Sequence, residues 1–210
     1  MKTSILVAFG CGLVACLTLN CAEKDPPQKV TIRLHNREFA PPEQIDPALT
    51  NLLQQPGIFP LNGLVQLHDP PSESQRAMLA KAGVQLRELV DDNVYFAEFS
   101  KSADLNIVTK LIRWAGLLQP EDKTEQDLWQ GKIEDWARVN AETVRVLVTF
   151  YESVSIEQSR MILNKHAKKV YYRELDRDWV IEISLQRVKA LAAEVTVEWM
   201  EQASADLQPL

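Results

Sequence analysis

An α+β fold of two like units follows from three features of the sequence. One is strict alternation over residues 144–150, where Val144, Val146, Val148 and Phe150 face one way; a period of two marks a strand with one buried face. Another is Ser155-Ile156-Glu157-Gln158 before an apolar run. Ser-x-x-Gln can satisfy the free backbone N–H groups that open a helix, here predicted to run to about Ala167. The third is a hairpin pattern, residues 169–175 and 179–184 about Asp176-Arg177-Asp178. Leu185, Val188, Leu191, Ala192 and Val195 then recur at helical spacing, and residues 196–200 read as a last strand. The order over residues 144–202 is strand, helix, strand, strand, helix, strand. That βαββαβ order is the ferredoxin-like arrangement, an antiparallel sheet with its helices on one face.

Residues 63–119 carry a fainter copy. Ser72, Gln75, Met78 and Leu79 correspond to Ser155, Gln158, Met161 and Ile162 at an offset of 83. Glu98-Phe99-Ser100 corresponds to Glu182-Ile183-Ser184 at 84, and Trp114 to Trp199 at 85. An offset that grows in single steps is what two related modules with slightly different loops produce. Leu64, Val65 and Leu67 are expected in the first sheet, and Gly83 at the left-handed end of its first helix.

The chain opens on Met1-Lys2-Thr3, and no charged residue follows until Glu23. Small residues and cysteines interrupt this segment and a polar, Pro-rich tether follows, so residues 1–21 read as an export signal. Leu13-Val14-Ala15-Cys16 resembles a bacterial lipobox, with lipid attached at Cys16; Cys21 is the alternative acceptor. The expected location is that of an exported, membrane-anchored lipoprotein on the periplasmic or cell-surface side. All three cysteines lie in this segment, which leaves the folded part without disulfide or thiolate chemistry.

Residues 22–62 form the tether, a strand over residues 29–34, and a loop region with one short helix near residues 47–54. The connector, residues 120–143, spaces Trp129, Ile133, Trp136 and Ala137 for one face of a helix. That face suits packing against the modules it joins, or a ligand platform. Residues 203–210 form a tail without apolar periodicity.

Catalytic signatures are missing. His35, His68 and His166 are scattered, with no metal-ligand spacing, and no glycine-rich phosphate loop or nucleophile elbow occurs. No enzyme activity, metal or cofactor is therefore expected. A net charge of -6 argues against nucleic acid as the partner.

Several segments, taken in order, resemble the N-terminal pro-region of bacterial subtilisin-like serine peptidases with tandem inhibitor I9-like modules. They are Ile32-Arg33-Leu34, Phe39-Ala40-Pro41, Gly63-Leu64-Val65-Gln66-Leu67 and Leu79-Ala80-Lys81-Ala82-Gly83-Val84. Asp92-Asn93-Val94-Tyr95-Phe96-Ala97, Gln119-Pro120-Glu121-Asp122-Lys123 and Val195-Thr196-Val197-Glu198-Trp199-Met200 complete the set. The likeness covers roughly residues 29–206. The catalytic Asp, His and Ser motifs of such peptidases do not occur in the chain. The resemblance therefore implies a non-catalytic inhibitor or folding chaperone of a subtilisin-like peptidase, tethered to the membrane by lipid. It further implies that the tail enters the protease cleft through Leu207, Gln208, Pro209 and Leu210, although a frayed terminus reads equally from the residues. Asp176 and Asp178 are candidates to sit at the positive ends of enzyme helices, or simply to serve the turn. A lipoprotein binding module for another protein or a small ligand is the alternative function, and a remnant pro-region of a truncated peptidase is a further one.

Overall fold

The computed structural model describes residues 30–57, 60–172 and 177–204. These residues form an α+β protein with two antiparallel sheets, preceded by a small hairpin. The hairpin pairs β1 (Ile32–Arg33) with β2 (Glu38–Phe39). Helix α1 (Pro47–Leu53) follows, capped by Asp46 and opened by a proline at its first position, where the missing N–H costs nothing.

The first sheet contains β3 (Leu61–Leu67), β4 (Val84–Asp91), β5 (Val94–Phe99) and β6 (Ile112–Leu117). Its spatial order is β4-β5-β3-β6. Helix α2 (Glu73–Lys81) connects β3 to β4 and begins with the expected capping box. The Gln75 amide donates to Ser72 Oγ, and the Ser72 amide donates to Gln75 Oε1 at 2.8 Å. Gly83 follows this helix at φ +82°, as the sequence predicts. A Cβ there would also lie 2.4 Å from Ser100 Oγ, so only glycine fits. Between β5 and β6 stands a four-residue 3₁₀ turn, Leu105–Val108, capped by Asp104; a short segment held by its own Asp side chain has no room for further helical turns.

The connector departs from its predicted helix. Pro120–Lys123 forms a 3₁₀ turn, and α3 covers only Gln126–Gln130 before Gly131 ends it at φ +76°. Leu128 and Ala137 reach the core of the second sheet, whereas Trp136 is exposed. A glycine in the left-handed conformation stops the periodicity that the tryptophan spacing suggested.

The second sheet contains β8 (Thr143–Phe150), β9 (Ala167–Tyr172), β10 (Asp178–Ser184) and β11 (Val197–Gln202), ordered β11-β8-β10-β9. A short β7 (Arg138–Asn140) pairs with the start of β8. Helices α4 (Ile156–His166) and α5 (Leu185–Ala192) carry its connections, α4 opened by the Ser155–Gln158 capping box.

The cross-strand register is parallel in detail between the sheets. Leu64 lies opposite Phe96, and Gln66 opposite Trp114. Leu147 lies opposite Val180, and Thr149 opposite Trp199. Each sheet packs one face on a core that includes its helices' apolar residues: Val65, Leu79, Ala97 and Phe99 in the first, Val148, Leu163, Ile181 and Leu191 in the second.

The opposite faces differ. On the first sheet the hairpin supplies a second small core in which Ile32 joins Leu64, Val94 and Trp114. Phe39 meets the Trp114 ring edge-on at 5.7 Å, and Leu64 is 0 % exposed and Trp114 6 %. This explains why β3 is buried on both faces while β8 alternates. The hairpin is anchored from its turn. Arg37 makes a two-pronged pair with Asp122 (2.6 and 2.7 Å), and Asn36 donates to the backbone oxygens of Glu121 and Thr124.

Each sheet has one edge covered by neighbouring chain. The Asp46 amide donates to Ala115 O on β6, and the Glu125 amide donates to Met200 O on β11, both at 2.8 Å. At the other edges, β4 is broken by two register shifts and β9 carries Lys168 and Lys169, devices that discourage further strand pairing.

Candidate functional site

Where the hairpin ends, the uncovered part of the first sheet turns toward the end of β8 and β11 across a cleft of about 910 Å³. Leu34, Val90, Phe96 and Leu118 give it an apolar side, and Tyr151 and Trp199 close it from the second sheet. Strand alternation positions these groups: Phe96 and Glu98 share the helix-free face of β5, whose other residues, Tyr95, Ala97 and Phe99, fill the core.

Its charges are paired within each sheet. Arg87 donates to Glu98 at 2.7 Å, and Arg177 donates to Glu198 at 2.7 Å. The Arg87 guanidinium is held more firmly charged by its bond to Glu98, and Glu152, from the second sheet, adds to this. Burial pushes the Glu198 carboxyl above the usual carboxylate range; Arg177 opposes that and Glu152 reinforces it. Burial likewise raises Tyr151, with the Glu198 charge adding. The cleft thus gathers buried and half-buried polar groups from residues far apart in the chain, the usual setting for recognition rather than for core packing. Among the described residues no group of three His, Cys, Asp or Glu could hold a metal ion, and no helix is long and apolar enough to cross a membrane.

Of the residues singled out from the sequence, Asp178 alone is described. It begins β10 opposite Thr149, and its Oδ1 accepts from Thr149 Oγ1 at 2.8 Å. It therefore belongs to the sheet, its carboxylate engaged, and does not stand at the tip of the hairpin. Asp176, the lipid-acceptor candidates Cys16 and Cys21, and the tail residues Leu207, Gln208, Pro209 and Leu210 lie outside the described residues. The sequence analysis missed the cleft. Arg87 and Glu98, and Arg177 and Glu198, are partners across strands, and no local spacing signals that the two pairs face one another.

By architecture this is an α+β protein of two antiparallel sheets joined by a short connector, with a polar-rimmed cleft between them. Residues 33–119 match the family model of a domain of unknown function, DUF8729. The matched stretch starts in β1 and stops just after β6, so it takes in most of the hairpin together with the first sheet. No curated protein and no solved structure matches the chain.

Proposed function

We propose that this chain is a lipid-anchored, propeptide-like inhibitor or folding chaperone of a subtilisin-like serine peptidase, built from two tandem ferredoxin-like modules. The registers support the duplication. Leu64 and Gln66 correspond to Leu147 and Thr149 at the same offset of 83, while their partners Phe96 and Trp114 correspond to Val180 and Trp199 at 84 and 85. Both sheets also follow the strand order expected of the ferredoxin-like arrangement.

One observation carries the functional reading. The helix-free face of the first sheet is sealed by the chain's own hairpin, and the equivalent face of the second has no such cover among the described residues. There Leu147, Tyr171 and Trp199 are only partly buried, beside Arg145, which lies 3.8 Å from Glu182. An apolar centre with a charged rim is the composition of a protein-docking surface. In the family that this chain resembles, that face rests on the enzyme and the following tail lies in the substrate cleft. There it would add backbone hydrogen bonds and fill side-chain pockets. Burial of Leu207 and Leu210 would contribute about 3–6 kcal/mol before ordering costs.

The test is titration of a broad-specificity subtilisin with the intact protein, with Leu147→Asp, and with a version ending at Gln202. Inhibition by the intact protein and its loss in both variants is the expected result. Equal inhibition by all three would remove both the face and the tail from the mechanism. Absence of inhibition across several subtilisins would leave the exported binding module, a reading that the cleft favours.

A further inference from the structure

The charge pairing around the cleft leaves an excess. Arg33 is 3.3 Å from Glu38, Arg37 is bound to Asp122, Arg87 to Glu98 and Arg177 to Glu198. The nearby cations are thereby neutralised one by one. Glu152 has no ion-pair or hydrogen-bond partner among the described residues, yet its charge reaches both Arg87 and Glu198. Two carboxylates, one exposed and one half-buried, thus repel each other across the mouth of the cleft. Arg177 serves only one of them, through its bond to Glu198 Oε2. A second observation points the same way. Tyr151 is largely buried in this wall, and its hydroxyl has no hydrogen-bond partner among the described residues. A buried hydroxyl without a partner is costly unless something arrives to satisfy it.

We propose that this cleft binds an extended peptide segment whose Lys or Arg side chain enters between Glu152 and Glu198, beside Tyr151 and Trp199. A cation there relieves the carboxylate repulsion, donates to the Tyr151 hydroxyl and gains from aromatic surface. The ligand is a peptide because the space exceeds what one basic side chain fills and continues along Phe96, Val90 and Leu34. Apolar residues flanking the basic one would cover Phe96, which is 38 % exposed. This site is distinct from the peptidase-docking face about Leu147, and its occupancy does not require a peptidase.

Isothermal titration of the full chain, purified in detergent, tests the proposal with the peptide Ac-Ala-Phe-Lys-Ala-Leu-amide and its norleucine counterpart. The lysine peptide should bind about tenfold more tightly, the effect of one charge-assisted contact. Glu152→Gln should erase that difference without moving the thermal unfolding midpoint, since Glu152 is exposed. Leu147→Asp should leave it intact, which separates this site from the docking face. Equal binding of the two peptides, or no binding at millimolar concentration, would overturn the proposal. Binding of Nα-acetyl-lysine methylamide as tight as that of the peptide would also overturn it, by assigning the cleft to small cations.

Discussion

Replacing Asp122 by alanine attacks the joint between hairpin and connector. The Asp122 side chain is wholly inaccessible to solvent and accepts three hydrogen bonds, from Arg37 Nε at 2.6 Å, Arg37 Nη2 at 2.7 Å and the Gln119 amide at 2.7 Å. The bond to Asp122 holds the Arg37 guanidinium more firmly charged than usual, as expected of a pair removed from water. Breaking a buried pair from one side costs about 3–5 kcal/mol. Two features reduce this here. Arg37 keeps a quarter of its side chain in solvent, and Glu121 lies 3.5 Å away as a substitute. A loss of about 2–3 kcal/mol is therefore expected for Asp122→Ala. Asp122→Asn retains an acceptor for the Gln119 amide and should lose about half as much. Urea unfolding of both variants, of Arg37→Ala and of the double variant gives the coupling, expected at about 2 kcal/mol. Amide exchange then locates the damage. The Leu34 amide, bonded to Arg37 O at 2.8 Å, should lose protection first. A coupling below about 0.5 kcal/mol, within the scatter of additive sites, would refute the idea that this pair holds the hairpin down.

Three further perturbations probe other links. Burial lowers Lys123 from 10.5 to about 8 while its Nζ donates to Glu194 O at 2.7 Å. The cost of about 3 kcal/mol is thus fully present below pH 8 and is relieved as pH rises from 8 toward 10.5. Tyr151, raised by burial, begins to oppose this only above its ordinary range. Denaturant stability should climb between pH 8 and 10 in the wild type; the same climb in Lys123→Met would discount Lys123 as its source. A Cβ on Gly63 would lie 2.3 Å from the Gly116 carbonyl oxygen, and a backbone oxygen cannot yield cheaply. Gly63→Ala should cost about 1–3 kcal/mol by thermal melt, and an unchanged midpoint would show that β3 and β6 can separate without penalty. Radiolabelled palmitate should enter the wild type and not Cys16→Ser. Loss of label in Cys21→Ser alone would move the lipid to Cys21.

Interactions that close within a few residues were legible in the sequence. Ser72 with Gln75 and Ser155 with Gln158 form their capping boxes because donor and acceptor are three positions apart, within one helical turn. Alternation in β8 and the left-handed Gly83 were likewise legible, since side-chain period and backbone conformation are local properties. The α+β class, with antiparallel sheets, follows from such signals taken in order.

Tertiary structure decided what depends on partners distant in sequence. β2 is two residues long and carries no periodicity; Arg37 beside it is held by Asp122, and Phe39 by Trp114. Trp129 and Trp136 share helical spacing, but Gly131 ends the helix between them, leaving Trp136 in solvent and Trp129 beneath the Lys189 ammonium at 4.4 Å. The charge of Lys123 is unremarkable until the connector presses it against the end of α5. The cleft exists only because the hairpin covers part of one sheet face and stops short of Phe96. Local hydrogen bonding and side-chain period specify each element by itself. The burial that gives Leu64 a cover, and leaves Leu147 without one among the described residues, arises only when segments far apart in the chain meet.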